Sequence, residues 1–598
     1  MFLNYLRKFS PYSFSSLSSQ IKLNILKLSR CTNVNQHRPD RFYNASRRFL
    51  SISSSSLSTP IFSRPVIDSF TVANEPLLSY EDNSNEKVAL EARLRYYLDN
   101  VIEIPIVIGG KEYFTDKIET QVSPFNHSQI VARCHLATPE LAREAIKTSL
   151  AKSKEWKNTD INYRIRCLLK AADLASGKYR QDLNATTILG QGKTIAQAEI
   201  DSAAELTDFF RFNAYYLQEI YRYHPIDPSR QINNSFRLRD LEGFVAAISP
   251  FNFTAIAANL CSAPALVGNA VVWKPSPNAL LSNWVVFKVL KEAGFAEEAI
   301  SFLPSTPKTF SENVISSPDL AAVNFTGSVA TFRIIWKTVA QNLDNNKTFP
   351  RLIGECGGKD FHLIHSSADL ETAAAQTIRA AFEYSGQKCS ACSRLYVAKS
   401  IFPEFQNRLL QIGSKLKLGS PLEKDTYLSA VINEAAFKRN ASYLDFARQD
   451  SQHQILLGGN YDNSKGYFID PSIVLTTNPR SKLMVEEIFG PILSVFIFDD
   501  KEIDQTLELI DQSTGYGLTG AVFATDREFL RKALEKLKYS AGNFYINDKC
   551  TGAIVAQQPF GGARLSGTND KAGAPQYLLR WLSPQNIKET FVPLREWK

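Results

Sequence analysis

The chain has 598 residues, of which 44% are hydrophobic and 21% are charged; this ordinary composition excludes collagen, coiled coil and wholesale disorder. Such a length exceeds what one hydrophobic core can organise, so we expect two or more domains. Eight cysteines are too few for a disulfide scaffold in so long a chain, which indicates a reducing compartment.

The net charge of +8 is concentrated at the amino terminus. Residues 1–65 contain ten Lys or Arg and one acid, Asp40, and therefore carry +9, whereas the remaining residues sum to −1. The body of the protein thus has no excess positive charge to neutralise a phosphate backbone. We expect no nucleic-acid partner.

The amino-terminal segment has the composition of a targeting sequence. It holds fifteen serines, and Phe2, Leu6 and Phe9 fall on one helical face. An acid-poor, Arg- and Ser-rich amphipathic start resembles a mitochondrial transit peptide, and the apolar core of a secretory signal is missing. We predict that residues 1–57 are a transit peptide, cleaved within Phe49–Ser58, and that the protein lies in the mitochondrial matrix. The alternative is a disordered tail without a targeting role.

One uncharged stretch, Phe244–Trp273, is long enough to cross a bilayer. Prolines, asparagines and a glycine interrupt it, however, and divide it into shorter units. We predict a buried strand at Phe244–Ile248, a helix at Thr254–Leu266 and a second buried strand at Ala270–Trp273. Apolar strands alternating with helices are typical of a parallel sheet covered on both faces, so we predict no membrane span.

The same alternation continues along the chain. Before this stretch we predict helices at Pro139–Lys154, Ile165–Lys193 and Ala203–Tyr223, followed by a solvent-facing β-ribbon at Arg230–Leu241. After it we predict strands at Ile300–Leu303 and Ala321–Thr326 and helices at Ala279–Ala293 and Val329–Asn342. This rhythm implies a doubly wound α/β fold. A second α/β region begins at Arg351 and includes helices at Leu370–Ser385 and Pro403–Leu416.

The segment Phe382–Cys392 is the sharpest chemical motif. Cys389 follows a helix and a glycine and stands beside Lys388. A neighbouring cation and exposed backbone amides are expected to lower a thiol pKa and favour the nucleophilic thiolate. Cys389 and Cys392 also match a redox pair, although such a pair should open a helix after a strand. A third possibility is that both are buried bystanders.

Two further polar residues stand at the ends of apolar strands. Glu355, followed by Cys356 and two glycines, would be partly desolvated and could act as a general base near neutral pH; it could instead cap a turn. Asn252 follows the strand ending at Ile248 and could donate to an oxyanion, or simply complete a turn.

The cofactor signals are unusual. The body of the chain contains no G-x-G-x-x-G, so the standard dinucleotide fingerprint is missing. Instead, Gly327 and Ser328 close a buried strand and open a helix, whose amino terminus suits a pyrophosphate. Lys274 similarly ends a strand, where it could bond ribose hydroxyls.

Six motifs in this order resemble the aldehyde dehydrogenase superfamily. They are Pro250-Phe251-Asn252-Phe253, Trp273-Lys274-Pro275-Ser276, Phe325-Thr326-Gly327-Ser328, Gly354-Glu355-Cys356-Gly357-Gly358-Lys359, Gly386-Gln387-Lys388-Cys389-Ser390-Ala391 and Glu487-Ile488-Phe489-Gly490-Pro491. The resemblance runs from about residue 75 to the carboxyl terminus. Within the superfamily, Phe382–Arg394, Gly542–Lys549 and Gln557–Arg564 resemble the mitochondrial enzymes that oxidise glutamate γ-semialdehyde, the second step of proline degradation.

The resemblance implies a fold and a division of labour. It implies a Rossmann-like NAD-binding domain at 58–348 with an oligomerisation ribbon near 228–242, a catalytic domain at 349–555, and a carboxyl-terminal segment and arm at 556–598. Cys389 would attack the aldehyde, Asn252 would stabilise the alkoxide and Glu355 would activate water against the thioester. The cofactor would be NAD, contacted by Ser249, Lys274, Gly327, Ser328, Val329, Ala330, Thr331, Glu487 and Phe489.

The substrate site and the assembly also come from the resemblance. Ser390 and the amides of Gly552 and Ala553 would hold the substrate α-carboxylate, Phe560 would pack on its aliphatic chain, and the protein would be a homodimer. Members often have Ser at Ala553, so we expect weaker substrate binding here without loss of specificity. The commonly acidic position after Lys-Pro-Ser is Pro277, which leaves the preference for NAD over NADP to the resemblance alone.

Other assignments stay open. The enzyme could act on another semialdehyde or be a CoA-acylating variant, although Glu355 argues against the latter. It could also be a redox or binding protein in which Cys389 and Cys392 form a disulfide. We expect no metal site: His362 and His365 lack a third ligand nearby in sequence. The remaining cysteines considered are expected in the core: Cys356, Cys392, Cys134 and Cys261.

Overall fold

The computed structural model describes residues 65–223, 225, 231–592 and 595–597. The described residues belong to one unit that begins at Pro60. The predicted transit peptide at 1–57 and its cleavage site lie outside the described residues, so they stay predictions.

A first seven-stranded sheet carries the amino-terminal half of the fold. Its order is Arg351–Glu355, Leu320–Thr326, Phe244–Ile248, Ala270–Lys274, Ile300–Phe302, Ile106–Ile108 and Lys111–Tyr113. The first five strands are parallel, and the last two are added through antiparallel pairs. Helices connect the parallel strands and cover the sheet, which explains the continuous apolar runs: Thr254–Leu266, Leu280–Ala293 and Val329–Gln341.

A second seven-stranded sheet follows. Its order is His453–Leu457, Ser472–Thr476, Ile492–Phe498, Cys392–Ala398, Asp360–Ile364, Thr519–Phe523 and Asn543–Ile546, and only the first strand is antiparallel. The helices of this region are Leu370–Phe382, Phe402–Gly413, Glu434–Gln449, Ile503–Gln512 and Arg527–Lys536. Two parallel sheets with covering helices confirm the predicted α/β class.

Smaller elements complete the described chain. A three-stranded sheet contains Ile102–Ile104, Asn126–His135 and Ile118–Ser123, and the helices near it are Asn85–Asp99, Pro139–Lys157, Ile161–Ser176, Arg180–Gln191 and Leu206–Ile220. Short helices occur at Ile195–Ala198, Ala296–Ala299, Pro307–Phe310, Lys482–Val485 and Pro575–Leu579, and two-residue strand pairs join Tyr461–Asp462 to Phe468–Ile469 and Tyr516–Gly517 to Ala563–Arg564. None of the helices in the described ranges has the length and apolar character of a bilayer span.

A separate ribbon joins two distant parts of the sequence. Ile232–Arg239 pairs antiparallel with Ser583–Thr590 along its whole length. The predicted ribbon at Arg230–Leu241 is therefore confirmed within the described residues. Its partner strand comes from the carboxyl-terminal segment, for which the resemblance implied an arm.

Several predicted elements are wrong in their bounds. The helix predicted at Ile165–Lys193 is two helices, because the chain turns at Gly177, whose N–H closes the first helix on the Asp173 carbonyl. The helix predicted at Ala203–Tyr223 is an α-helix only over Leu206–Ile220, and its first residues belong to a π-helical turn, Glu199–Glu205. The strand Arg351–Glu355 was assigned to the second α/β region, but it pairs with Leu320–Thr326 and so extends the first sheet.

Candidate active site

The carboxyl ends of the first sheet's parallel strands align at one edge. Ile248 is in register with Lys274, and Thr326 is in register with Glu355. Ser249, Gly327 and Glu355 therefore emerge along the same edge, where open α/β sheets bind ligands. The apolar runs predicted the strand ends at Ile248 and Thr326, but not that Glu355 joins the same sheet.

A strained loop presents Cys389. The preceding helix ends at Phe382, and Tyr384, Ser385 and Gly386 all have left-handed backbone angles (φ 53°, 54° and 65°). The helix predicted to continue to Ser385 is therefore wrong at its end. A left-handed backbone conformation costs about 1–3 kcal/mol for each non-glycine residue, so surrounding contacts must hold Tyr384 and Ser385 in it.

Those contacts come from distant segments. The Tyr384 hydroxyl donates to the Gln191 carbonyl (2.9 Å), and Gln387 Oε1 accepts the Ile432 N–H (2.8 Å). Gly386 lies so close to the backbone that a Cβ there would stand 2.3 Å from the Gly490 carbonyl oxygen. The conformation of the cysteine loop is thus set by the packed fold around it.

One cavity of about 270 Å³ brings six predicted site residues together. Its lining includes Cys389 and Glu355, the predicted nucleophile and base. It also includes all four residues predicted to bind the substrate, namely Ser390, Gly552, Ala553 and Phe560. A thiol, a carboxylate and backbone amides facing one small space can bind a carbonyl compound and act on it from two sides.

Asn252 reaches this site through the backbone of the cysteine loop. Its Nδ2 donates to the Gln387 carbonyl (3.1 Å), two residues before Cys389. Asn252 is not among the residues that line the cavity, whereas Phe253 is. A primary amide has two N–H donors, so one remains for a ligand.

The environment of the thiol is the reverse of the one predicted. Burial raises the pKa of Cys389 well above its usual range, and the carboxylates of Asp360, Glu355 and Glu487 raise it further. Lys388 does not offset them, because its Nζ pairs with Glu383 at 2.9 Å in a buried ion pair. The expectation that Lys388 lowers the thiol pKa is therefore wrong.

Glu355 has the desolvated position that its strand end predicted. Burial raises its pKa well above the usual range, while the Gly562 N–H, which donates to the carboxylate at 3.3 Å, acts in the opposite direction. A carboxylate with a raised pKa can take a proton near neutral pH.

Five predicted cofactor residues form the start of one helix. Ser328 caps the helix Val329–Gln341 by accepting the Thr331 N–H (3.2 Å), with Gly327 immediately before it. Val329, Ala330 and Thr331 make the first turn. Its remaining free amides and the helix dipole suit a pyrophosphate.

The other cofactor candidates supply polar groups and an aromatic ring. Glu487 Oε1 accepts the Gly358 N–H (3.2 Å), and its carboxylate lies so near Gly357 that a Cβ there would stand 1.9 Å from Oε1. Phe489 has a left-handed backbone (φ 58°) and packs edge-on against Phe251 at 5.8 Å. Burial raises the pKa of Glu487 to about 7.

Ser249 and Lys274 lie side by side at the ends of adjacent strands. Ser249 Oγ accepts the indole N–H of Trp273 (3.0 Å). Burial lowers the pKa of Lys274 to about 8. The Lys274 amine and the Glu487 carboxylate, together with the amino terminus of the helix Val329–Gln341, fit the hydroxyls and phosphates of a dinucleotide.

Sequence reasoning missed several residues of the cavity. Lys571 lines it and donates to the carbonyls of Gly542 (2.7 Å) and Gly561 (3.0 Å), which fastens the Gly561–Gly562 turn beside Glu355. Glu205 also lines it, from the π-helical turn. Neither residue stands in a motif, and only the fold brings them to the site.

Comparisons with known proteins agree with this geometry. The aldehyde dehydrogenase family model matches residues 114–587. Mitochondrial delta-1-pyrroline-5-carboxylate dehydrogenases from Bos taurus and Homo sapiens are each 52% identical to this chain, over 90% and 88% of it and 95% and 94% of their own lengths. A crystal structure of delta-pyrroline-5-carboxylate dehydrogenase from Mycobacterium tuberculosis bound with NAD has a TM-score of 0.86 and 40% identity, covering 90% of this chain and 99% of that one.

Proposed function

Because the chain belongs to the aldehyde dehydrogenase family, we propose that it oxidises L-glutamate γ-semialdehyde to L-glutamate with NAD, in the mitochondrial matrix. The semialdehyde is the hydrolysed form of Δ1-pyrroline-5-carboxylate, so the reaction is the second step of proline degradation. The observation that carries the proposal is the single cavity that joins Cys389, Glu355 and the predicted carboxylate-binding residues. Relatives about half identical over nearly the whole chain support the substrate assignment.

The chemistry begins at Cys389. Its Sγ attacks the aldehyde carbon and its proton passes to solvent, leaving an alkoxide on the former carbonyl oxygen. The second N–H of the Asn252 amide and the Cys389 backbone N–H stabilise that alkoxide; one such donor is worth about 3 kcal/mol. When bound, NAD would supply the acceptor for the hydride that leaves this carbon.

Glu355 completes the reaction. With the aldehyde carbon held on Cys389 as a thioester, the Glu355 carboxylate takes a proton from water, and the resulting hydroxide attacks the thioester carbon. The C–S bond then breaks, the Cys389 sulfur leaves as a thiolate and the acid is released. The raised pKa of Glu355 suits this task, because a more basic carboxylate is a better proton acceptor. A CoA-acylating enzyme would not need this residue.

The cofactor would be held at the edge of the first sheet. The residues that would hold NAD are Ser249, Lys274, Gly327, Ser328, Val329, Ala330, Thr331, Glu487 and Phe489. The first turn of the helix Val329–Gln341 would face the pyrophosphate, and Glu487 and Lys274 would bond ribose hydroxyls. The close approach of Glu487 to Gly357 leaves no room for a side chain there, which supports a fixed position for this carboxylate.

The substrate carboxylate would be held without a competing positive charge. The Ser390 hydroxyl stands 2.7 Å from the Thr551 hydroxyl, which orients it. Gly552, with φ 82°, and Ala553 then turn backbone amides toward the carboxylate, and Phe560 packs on the aliphatic chain. Ala553 lacks the hydroxyl that a serine would add, which weakens binding.

Domain roles and assembly form part of the same proposal. Residues 58–348 form the NAD-binding domain. Residues 349–555 form the catalytic domain, which supplies Cys389 and also contributes Glu487 and Phe489 to NAD binding. Residues 556–598 form an arm, and residues 1–57 are removed on import. The ribbon of Ile232–Arg239 and Ser583–Thr590 is two-stranded in the described residues. Its open edges suit pairing with a second copy, so the protein is a homodimer.

A panel assay tests the proposal. NADH formation is measured with glutamate γ-semialdehyde and with succinate semialdehyde, using NAD and NADP, for the wild type, Cys389→Ala and Cys392→Ala. We expect the highest kcat/KM with glutamate γ-semialdehyde and NAD. We also expect the Cys389→Ala variant to be inactive and the Cys392→Ala variant to be active. Activity in Cys389→Ala, or preference for succinate semialdehyde, which keeps a carboxylate but lacks the α-amino carbon, would overturn the assignment.

A further inference from the structure

Three buried side chains meet behind the cysteine loop. His362, Cys392 and Cys550 offer one imidazole nitrogen and two thiols that all lie within 4.8 Å of one another. His362 lies in the strand Asp360–Ile364, Cys392 begins the strand Cys392–Ala398, and Cys550 follows the strand Asn543–Ile546. All three are buried, with exposures of 0%, 2% and 0%.

The donor set is the one that thiophilic cations prefer. Two thiolates and an imidazole bind Zn²⁺ at about 2.3 Å and 2.0–2.1 Å, which places tetrahedral ligands some 3.6–3.8 Å apart. The present separations are about 1 Å longer at most, a gap that rotation of the thiols can close. Binding would release both thiol protons, and two thiolates neutralise a divalent cation in this buried place.

The imidazole is already in the tautomer that a metal needs. His362 Nε2 accepts the Cys550 backbone N–H (3.2 Å), so that nitrogen carries a lone pair. The other nitrogen, Nδ1, then holds the hydrogen and donates it to Thr377 Oγ1 (2.9 Å). A histidine ligand with its second N–H fixed by an oxygen is the usual outer-sphere arrangement at metal sites.

The cluster is connected to the substrate pocket. Cys550 Sγ donates to the Ser390 carbonyl (3.3 Å), and the next residue, Thr551, shares a hydrogen bond with the Ser390 hydroxyl (2.7 Å). A cation at the cluster would take Cys550 Sγ from Ser390 and His362 Nε2 from the Cys550 N–H. Cys550 would then move, and with it the wall formed by Ser390 and Gly552.

We propose that His362, Cys392 and Cys550 form a binding site for a thiophilic divalent cation such as Zn²⁺, whose occupation distorts the substrate pocket and inhibits the enzyme. The residues are far apart in sequence, which is why no spacing motif revealed them. The inhibitory part rests on the proposed function, whereas the binding part does not.

Titration with Cd²⁺ tests the binding part. The Cys389→Ala protein is used so that the nucleophile does not contribute, and thiolate-to-Cd²⁺ charge-transfer absorption is recorded. We expect one equivalent to bind, Zn²⁺ to displace it, and affinity to fall at least about tenfold when Cys550→Ser, Cys392→Ala or His362→Gln is added. Cys134→Ala, a buried thiol in the three-stranded sheet, is the matched control and should leave binding unchanged. Thermal unfolding checks that each variant is folded.

Kinetics test the coupling. In protein with Cys389 intact, Cd²⁺ should lower kcat/KM for the aldehyde while the Kd for NAD stays constant, and Cys550→Ser should resist this inhibition. The proposal is overturned if the affinity for Cd²⁺ is unchanged in both Cys550→Ser and His362→Gln, or if full occupancy leaves kcat/KM unchanged. If the aldehyde is not a substrate, the absorption data still decide the binding part, so the two failures are distinguishable.

Discussion

The cofactor edge and the cysteine loop reach the same active site by different physical means. At the cofactor edge, Ser249, Lys274 and Gly327 stand at the ends of regular parallel strands, and the helix after Gly327 has an ordinary serine cap. At the cysteine loop, three successive left-handed residues precede Gln387, and buried carboxylates surround the thiol. Local sequence therefore suffices to build the first region, whereas the second depends on contacts from the whole fold.

The difference extends to the charges. The cofactor edge offers polar groups to a ligand that brings its own charge, and the Ser249 N–H donates to the Lys274 carbonyl of the neighbouring strand. The thiol of Cys389 instead lies among Asp360, Glu355 and Glu487, and its cationic neighbour Lys388 is neutralised by Glu383. The raised pKa keeps the Cys389 thiol protonated, and the proton leaves when Sγ attacks the aldehyde carbon.

The largest effect is expected at the nucleophile. Cys389→Ala should reduce kcat by at least about 10⁴-fold, because no other group lining the cavity replaces the thiol. Cys392→Ala, the matched thiol three residues away, should retain activity within about tenfold. Steady-state NADH formation measures both, and equal losses in the two variants would contradict the special role given to the loop.

The next effect concerns the residue that links the two regions. Asn252 stands at the end of a first-sheet strand but donates to the Gln387 carbonyl in the cysteine loop. Asn252→Ala should lower kcat about 10²–10³-fold through loss of an alkoxide donor, with a smaller change in the Kd for NAD. A loss confined to NAD affinity would assign Asn252 to the cofactor edge alone.

Two glycines allow the backbone comparison to be measured. Gly386→Ala places a Cβ 2.3 Å from the Gly490 carbonyl at a φ of 65°, whereas Gly327→Ala meets the movable ring of Phe325 at 2.6 Å. We expect Gly386→Ala to cost about 2 kcal/mol or more of unfolding free energy, and Gly327→Ala less. Denaturant unfolding compares them; a larger loss for Gly327→Ala would mean that the loop is not the more constrained region.

The smallest effect tests the electrostatic link between the regions. Glu487 at the cofactor edge is one of the carboxylates that raise the pKa of Cys389. Glu487→Gln should therefore lower that pKa and speed alkylation of Cys389 several-fold at neutral pH. The exposed Glu404→Gln serves as the control. Identical alkylation rates in both variants would show that Glu487 does not act on the thiol.

These regions also differ in how far the sequence predicted them. The strand ends at Ile248 and Thr326 follow from apolar runs, and both are confirmed by the sheet. The left-handed turn at Tyr384 and Ser385 has no local signal, since neither residue is typical there, so the predicted helix ran too far. The predicted effect of Lys388 on the pKa of Cys389 is wrong because Lys388 pairs with Glu383, which lies on the other side of that same turn.

Long-range assembly accounts for what periodicity and spacing did not reveal. Arg351–Glu355 looks like the start of a new region in the sequence, yet its register partner is Leu320–Thr326. His362 lacked a third ligand by spacing, but folding places Cys392 and Cys550 beside it. In each case the decisive neighbour is distant in sequence, where periodicity and spacing carry no information.

The central claim is that Cys389 and Glu355, brought into one cavity from two regions, divide the reaction between them. Rapid mixing of Glu355→Gln with NAD and glutamate γ-semialdehyde tests it most directly. The account predicts a burst of one NADH per active site, followed by turnover at least about 10²-fold slower than wild type, because the thioester forms but is not hydrolysed. Wild-type turnover, or no burst at all, would contradict it.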